Sequence, residues 1–485
     1  MATKAQEVRP PRRRWIAPAA VAAVLLACAA IGARDAQRRS VAVSSIPQRP
    51  DLGSLPPEMA AQVDASEQLA RSFLHSAAGL AELSRLYHAN GFYNEAMECY
   101  RGLRLLEPGE ARWPHLEASI LAQFGRQDDA LPREQAAVDL APHYVPARLR
   151  LGDELLKGDR TADAASAYTE VLAQAPDDPY ALLGLAKCDI KAGNWDKAAE
   201  RLKRAIAQHP DFIGGLSTLV TVDEHLGDAA GADALRATIG RREFTDLSDP
   251  WLDGLMDDCF DSYRLSVAAA VADFSGDRAA GKAMLERAIA FAPKKSSFHR
   301  QLAMMYGRDG DLATACQHLE SAVAIDPTDN DSWLLLTQYL DLMHQAGPSE
   351  AALRSGLANC PDSYGLHLEQ AKRLNAAGQA DGAIAEFREA FRLNPGEIDS
   401  LVQMATVMIS ANRGDEALAA LKEALARQPE NPAALATLTF YYINTGNEAT
   451  ALEWWGHVQR QRRTPPNIVE SLRQAFQQKF GHDPT

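Results

Sequence analysis

Aromatic residues make up only 7% of this 485-residue chain, and cysteine occurs six times. None of the usual catalytic spacings is present. The 12 histidines never stand within four residues of one another, so there is no H-E-x-x-H zinc site and no C-x-x-C-H haem attachment. No G-x-S-x-G turn offers a serine nucleophile. Gly276 to Ala283, GDRAAGKA, matches the start of a phosphate loop, but alanine stands where the magnesium-binding hydroxyl belongs and a helical pattern precedes it. Beyond Cys28, the cysteines at 99, 188, 259, 316 and 360 are widely scattered, which suits buried small hydrophobes better than a disulfide framework. Only Cys316 and Cys360 are close enough in the pattern to pair. The formal net charge of −14 argues against a general nucleic-acid binder, leaving only an isolated basic groove open to that role. No cofactor or metal is expected, and no catalysis by this chain.

What is present is a period. Prolines stand at 108, 142, 176 and 210, then at 293, 327, 361, 395 and 429, with a step of 34 inside each series. Twelve residues before them stand Ala96, Ala130, Ala164, Ala198, Gly281, Ala315, Ser349, Ala383 and Ala417. Seventeen before them stand Gly91, Gly125, Asp159, Gly193, Gly276, Gly310, His344, Gly378 and Asn412, mostly types that tolerate a positive φ at a helix end. Eight before them a large side chain is usual: Tyr100, Tyr168, Leu202, Leu285, Leu319, Leu353, Phe387 and Leu421. A helix, a tight turn and a second helix fit this spacing. The small residue lets two backbones approach, the bulky one fills the gap a turn later, and proline ends the unit.

The pattern resembles the tetratricopeptide repeat family at its 34-residue length. That resemblance implies an all-α, right-handed solenoid of about eleven helix-turn-helix units: five over 77–246 and six over 262–463. It also implies a concave face, lined by the first helix of each unit, that takes peptides or a partner's helix. Helices over 59–76 and 464–485 are expected to cap the open ends, since a terminal repeat otherwise exposes its core stripe.

The first residues are different material. Five basic residues between Lys4 and Arg14 precede the uncharged stretch WIAPAAVAAVLLACAAIGA, and Arg34, Arg38 and Arg39 follow. Residues 1–39 therefore read as an export signal or transmembrane anchor, with the N-terminus cytoplasmic and the repeats periplasmic or otherwise outside. A cleaved signal peptide and a lipoprotein carrying lipid on Cys28 also fit these residues. Residues 40–58, rich in serine and proline, read as an extended spacer.

Between Pro210 and Pro293 the period gains 15 residues. The insertion reads as a linker helix over 247–261, with Asp249 as N-cap and Pro250 in the first turn. Trp251, Leu252, Leu255, Met256, Cys259 and Phe260 would form one stripe packed between the two blocks. Asp253, Asp257 and Asp261 recur every four residues, a spacing that spreads carboxylates along a helix instead of wrapping them round a cation. Docking of a partner on this helix is the other reading of its aromatics.

By the resemblance, Arg85, His88, Asp153, Lys157, Tyr180, Lys187 and Lys191 face the groove of the first block. Arg300, Arg308, Gln338, Asp341, Lys372 and Asn375 face that of the second. The four cations Arg85, Lys157, Lys187 and Lys191 in an acidic protein point to an acidic or C-terminal carboxylate ligand. The family's clamp for chaperone tails is not expected, because Ala81 stands where its leading lysine belongs. The functional expectation is a non-catalytic scaffold that binds other proteins or peptides, tethered to a membrane through its N-terminal segment. The rival is an assembly or regulatory subunit of an envelope enzyme or electron-transfer complex. Oligomeric state is left open.

Overall fold

Each turn at the 34-residue step has the same physical signature. Gly91, Gly125, Gly193, Gly227, Gly276, Gly310, Gly378 and Gly446 have φ between 70° and 86°, and Asp159, His344 and Asn412 adopt 57–59° at the equivalent place. In ten of these eleven turns the next residue donates its N–H five residues back, as in Phe92 to Tyr87 (2.9 Å), Arg160 to Leu155 (2.9 Å) and Gln379 to Leu374 (2.9 Å). This left-handed cap satisfies carbonyls that a helix end leaves orphaned and turns the chain into the next helix.

The computed structural model describes residues 16–239, 247–461 and 465–484, with side chains from Val21 onward. Among these residues there are 26 α-helices and no strand. Twenty-two of the helices pair into eleven antiparallel hairpins, which we number as repeats 1 to 11. Repeat 1 is Ser76–Ala89 with Tyr93–Leu106; repeat 2 is Arg112–Gln123 with Gln127–Leu140; repeat 3 is Val145–Lys157 with Thr161–Gln174. Repeat 6 is Ser262–Phe274 with Arg278–Phe291, and repeat 11 is Pro432–Asn444 with Glu448–Arg460.

The small residues of the period are buried without remainder: Ala96, Ala130, Ala164, Ala198, Ala315, Ser349, Ala383 and Ala417 are all 0% exposed. The bulky residues one turn on, among them Tyr100, Leu202, Leu285 and Leu421, are equally inaccessible. Close approach is enforced from both sides. A Cβ on Gly184 would lie 2.4 Å from the Tyr168 ring, so tyrosine at that position requires glycine opposite it.

The chain forms two compact units. The first ends at Pro293 and contains repeats 1 to 6; the second begins at Lys294 and contains repeats 7 to 11. Repeat 6 thus belongs with the first five instead of opening the second block. The cause is a set of long-range bonds: Arg264 donates to the Ala89 carbonyl (2.8 Å) and the Tyr93 hydroxyl (3.0 Å) of repeat 1.

At the N-terminal end, a helix runs Ile16–Ser44, so residues 40–44 continue a helix where a spacer is expected. Its second half packs on repeat 1. Ala42 is fully buried, and Arg38 and Arg39 donate to the carbonyls of Leu106 (2.9 Å) and Arg71 (2.6 Å) at two helix C-termini. These arginines therefore cap helices, which is a structural use for a basic flank. The helix Pro57–Ala70 lies over repeat 1 through buried Met59, Val63 and Ala70. The uncharged stretch begins at Trp15, outside the described residues. Among the described residues no helix is long and apolar enough to cross a membrane. In the second unit, Pro466–Phe480 buries Leu472 and Phe476 against repeat 11. All six cysteines are free thiols, Cys316 and Cys360 included.

Candidate functional site

The insertion does not form the continuous helix that its apolar spacing suggests. One α-helical turn, Pro250–Asp253, is followed by a 3-10 turn, Gly254–Asp258, and then by extended backbone at Cys259. Asp253, Asp257 and Asp261 consequently share no face. Asp253 accepts from the Asp249 N–H (2.8 Å), while Asp261 caps repeat 6 by accepting from Tyr263 and Arg264.

This segment lies on the first helices of repeats 1 to 3, crossing them from repeat 3 back to repeat 1. Its anchor is Asp249, only 1% exposed. One carboxylate oxygen accepts from Tyr144 Oη (2.7 Å), the other from His115 Nε2 (2.9 Å) and Arg150 Nε (2.8 Å). The opposite ring nitrogen of His115 meets Glu134 at 2.7 Å, and both residues are almost wholly buried. Trp251 stacks on Tyr144 with ring centroids 3.6 Å apart and an interplanar angle of 11°. Further along, Arg85 holds Asp258 (2.7 Å). Asn90 donates to the Asp258 carbonyl (2.8 Å) and accepts from the N–H groups of Phe260 (2.6 Å) and Asp261 (3.1 Å). From repeat 6, Arg287 donates to the carbonyls of Met256, Asp257 and Cys259.

The electrostatics follow from burial and pairing. Burial opposes a charge on His115, but its hydrogen bonds to Asp249 and Glu134 outweigh that and lift its pKa to about 9. Burial would raise Asp249 too, yet His115, Tyr144 and Arg150 hold its carboxyl well below the usual range. Glu134 is pushed up by burial, against the pull of His115. An imidazolium thus sits between two buried carboxyl groups, with Arg150 as second cation. Taking either cation away would strand a buried charge.

Beside the segment, a cavity of about 490 Å³ is lined by His88, Glu134, Glu154 and Lys157 from the repeats and by Leu252 and Met256 from the insertion. Glu154 points one buried carboxylate oxygen that has no hydrogen-bond partner, while its other oxygen accepts from Lys157 (2.7 Å).

The residues expected in the first groove meet different fates. Arg85 holds the insertion. His88 is buried, bonded to Tyr100 Oη (2.9 Å), and pushed by burial to a pKa of about 3, so it packs as a neutral core side chain. Asp153 accepts from Tyr168 Oη (2.6 Å), and Lys191 bonds Asp159 (2.6 Å) and the Leu156 carbonyl. Asp153, Tyr180 and Lys187 border a smaller cavity of about 240 Å³ with Leu247. His115, Tyr144 and Arg150 escape the sequence reading. A signal for them exists: Glu134 occupies the bulky position that Tyr100 and Tyr168 fill in the flanking repeats.

In the second unit, Arg308, Gln338, Asp341, Lys372 and Asn375 are exposed on the first helices of repeats 7 to 9. Arg300, half-buried, pairs with buried Asp329, and Asp341 pairs with Arg373. Met304, Leu342 and Phe440 are exposed apolar side chains on first helices of this unit. An apolar pocket of about 340 Å³ lies between repeats 10 and 11 and the last helix, with Ile409, Phe440 and Ile468 on its walls.

Comparison with known proteins agrees with this architecture. The family model described as tetratricopeptide repeat matches residues 155–214, 374–422 and 409–474. Over those stretches the chain carries tetratricopeptide repeats. Among curated proteins it is similar to the "Protein CTR9 homolog" of Arabidopsis thaliana, 26% identical over 342 residues, covering 67% of this chain and 29% of that protein. It is also similar to "Cellulose synthase 2 operon protein C" of Komagataeibacter xylinus, 32% identical over 300 residues, covering 59% of this chain and 21% of that protein. The chain thus spans less than a third of either relative's length. Among solved structures, yeast Tom70 is matched with 14% identity and a TM-score of 0.37, over 84% of this chain and 97% of that one.

Proposed function

We propose that this chain is a non-catalytic scaffold that binds a partner polypeptide on the first helices of its second unit. The observation that carries this reading is the exposure there of Arg308, Gln338, Lys372 and Asn375 together with apolar Met304, Leu342 and Phe440. Long polar and apolar side chains presented on a rigid repeat frame are what a groove needs to hold an extended peptide or an amphipathic helix. The test is capture of partners by the full chain from an envelope extract, with cross-links mapped by mass spectrometry. The reading predicts one or more polypeptides cross-linked to repeats 8 and 9 and lost when Gln338→Ala, Lys372→Glu and Asn375→Ala are combined. Partners retained at full yield by that triple variant would refute it. A single enzyme captured in stoichiometric amount would select the assembly-subunit role.

The N-terminal helix supports a tether for this scaffold. Val21, Val24, Leu25, Leu26 and Ile31 are 58–71% exposed, an apolar surface that water disfavours and a bilayer would cover. The basic flank before it supports a cytoplasmic N-terminus with the repeats outside. Protease added to intact spheroplasts should digest the repeats of a chain so oriented; complete protection would place them inside.

A further inference from the structure

The ligand expected for the first groove from its charge is an acidic peptide, and an acidic peptide is seated there. It is the chain's own Asp249–Asp261. We propose that the first helices of repeats 1 to 3 form a recognition site for a segment carrying Asp-Pro-Trp followed by a second acidic residue, that this site is filled in cis by residues 249–261, and that a partner with the same chemistry competes for it. The proposal rests on the reading of the chain as a polypeptide-binding scaffold, but it concerns the first unit alone.

Four observations carry it. The cradle for the leading aspartate is complete: Tyr144, His115 and Arg150 each hold Asp249 at 2.7–2.9 Å, and the carboxylate is almost wholly desolvated. The aromatic two residues on lies flat on Tyr144, and the backbone N–H of Trp251 donates to the Tyr144 hydroxyl (3.1 Å). The second acid, Asp258, meets Arg85. From Met256 to Asp261 the segment is also read through its backbone by Asn90 and Arg287, which contact six of its main-chain groups.

A linker selected only to join two blocks would need none of this. Its stripe would bury apolar side chains alone, whereas here, beside buried Leu255, Cys259 and Phe260, the segment buries the charge of Asp249, and one repeat gives up its bulky core residue for Glu134 to support the histidine that holds it. The regular structure of the segment amounts to one α-turn and one 3-10 turn, so it has little fold of its own to keep it in place once its anchors are matched by a competitor. Tethering gives the internal copy a high effective concentration, and an external peptide therefore binds in proportion to the fraction of open sites.

The experiment uses the full chain and a fluorescent synthetic peptide with the sequence of residues 247–261, followed by anisotropy. In the Asp249→Asn, Trp251→Ala double variant the internal segment is weakened, and the peptide should bind at least about tenfold tighter than to the unaltered chain. A peptide carrying Asp249→Asn should lose about tenfold or more against the opened protein. If the double variant loses its helical melting transition, Trp251→Ala alone serves, because Trp251 is only partly buried; several-fold tightening is then expected. Equal affinity of the variant and unaltered chains, or indifference to Asp249→Asn in the peptide, would overturn the proposal. Either result leaves the partner capture at repeats 8 and 9 standing or falling by itself.

Discussion

The two units are built from the same hairpin, yet they treat their first helices in opposite ways. In the first, Arg85, His115 and Arg150 are committed to a segment of the same chain, and His88 is core. In the second, Gln338, Lys372 and Asn375 stand in solvent on helices with the same turn geometry and the same small-residue contacts. A repeat frame therefore fixes where a groove can be, while a few substitutions inside it decide whether the groove is spent internally or kept for another molecule. Glu134 is such a substitution. At the matching place in the second unit stand Leu319, Leu353, Phe387 and Leu421, which need no charged partner.

The contrast is most severely tested at His115. His115→Ala removes the cation between Glu134 and Asp249 and should cost about 3–5 kcal/mol of stability in the first unit, read as a lowered denaturation midpoint there with the second unit unchanged. A cost under about 1 kcal/mol, the range of surface ion pairs, would show that the cluster is not the keystone described.

Acidity gives the next largest effect. Because the pKa of His115 is raised by folding to about 9, its contribution is fully present below the free value of 6.5 and is lost as pH rises through 9. At about 1.4 kcal/mol per pKa unit this amounts to roughly 3 kcal/mol. The groups facing the ring are Asp249 from the insertion, Glu134 from the second helix of repeat 2, Tyr144 and Arg150 from repeat 3, and His88 from repeat 1. Amide exchange, corrected for intrinsic rates, should show protection of Trp251–Phe260 falling between about pH 6.5 and 9. Repeats 7 to 11 should change little over that window.

Smaller effects sharpen the same comparison. Trp251→Ala removes one face of a stacked pair and should destabilise by about 1 kcal/mol, visible in a thermal melt. Lys372→Ala and Gln338→Ala, exposed on the second unit's first helices, should alter stability by less than about 0.5 kcal/mol while affecting partner capture. A large loss of stability from either would mean that this face is also occupied.

The repeats were legible because their determinants are local. A positive φ at Gly91 or Gly310, a small residue at Ala96 or Ala315 and a bulky one four positions later all act within one hairpin, so a fixed step reveals them. His344 and Asn412 occupy the turn position without glycine and still adopt its φ, which places the periodicity above residue type. The insertion was misread for the opposite reason. Its apolar spacing fits a helix, but Asp249 is fixed by His115, 134 positions earlier, and no local pattern contains that bond. Gly254 and the acidic run after it let the helix give way after one turn. The break in the period at Glu134 was visible, but it gained meaning only once its partner histidine was placed beside it.

A stack in which every hairpin touches only its neighbours can come apart one hairpin at a time. The segment from Asp249 to Arg264 changes that for the first unit, because it staples repeats 3, 2, 1 and 6 to one another. Pulled from its ends in an optical trap, such a unit would resist as one clasped body and then give way in a single long release, whereas repeats 7 to 11 would pay out in a staircase of short steps.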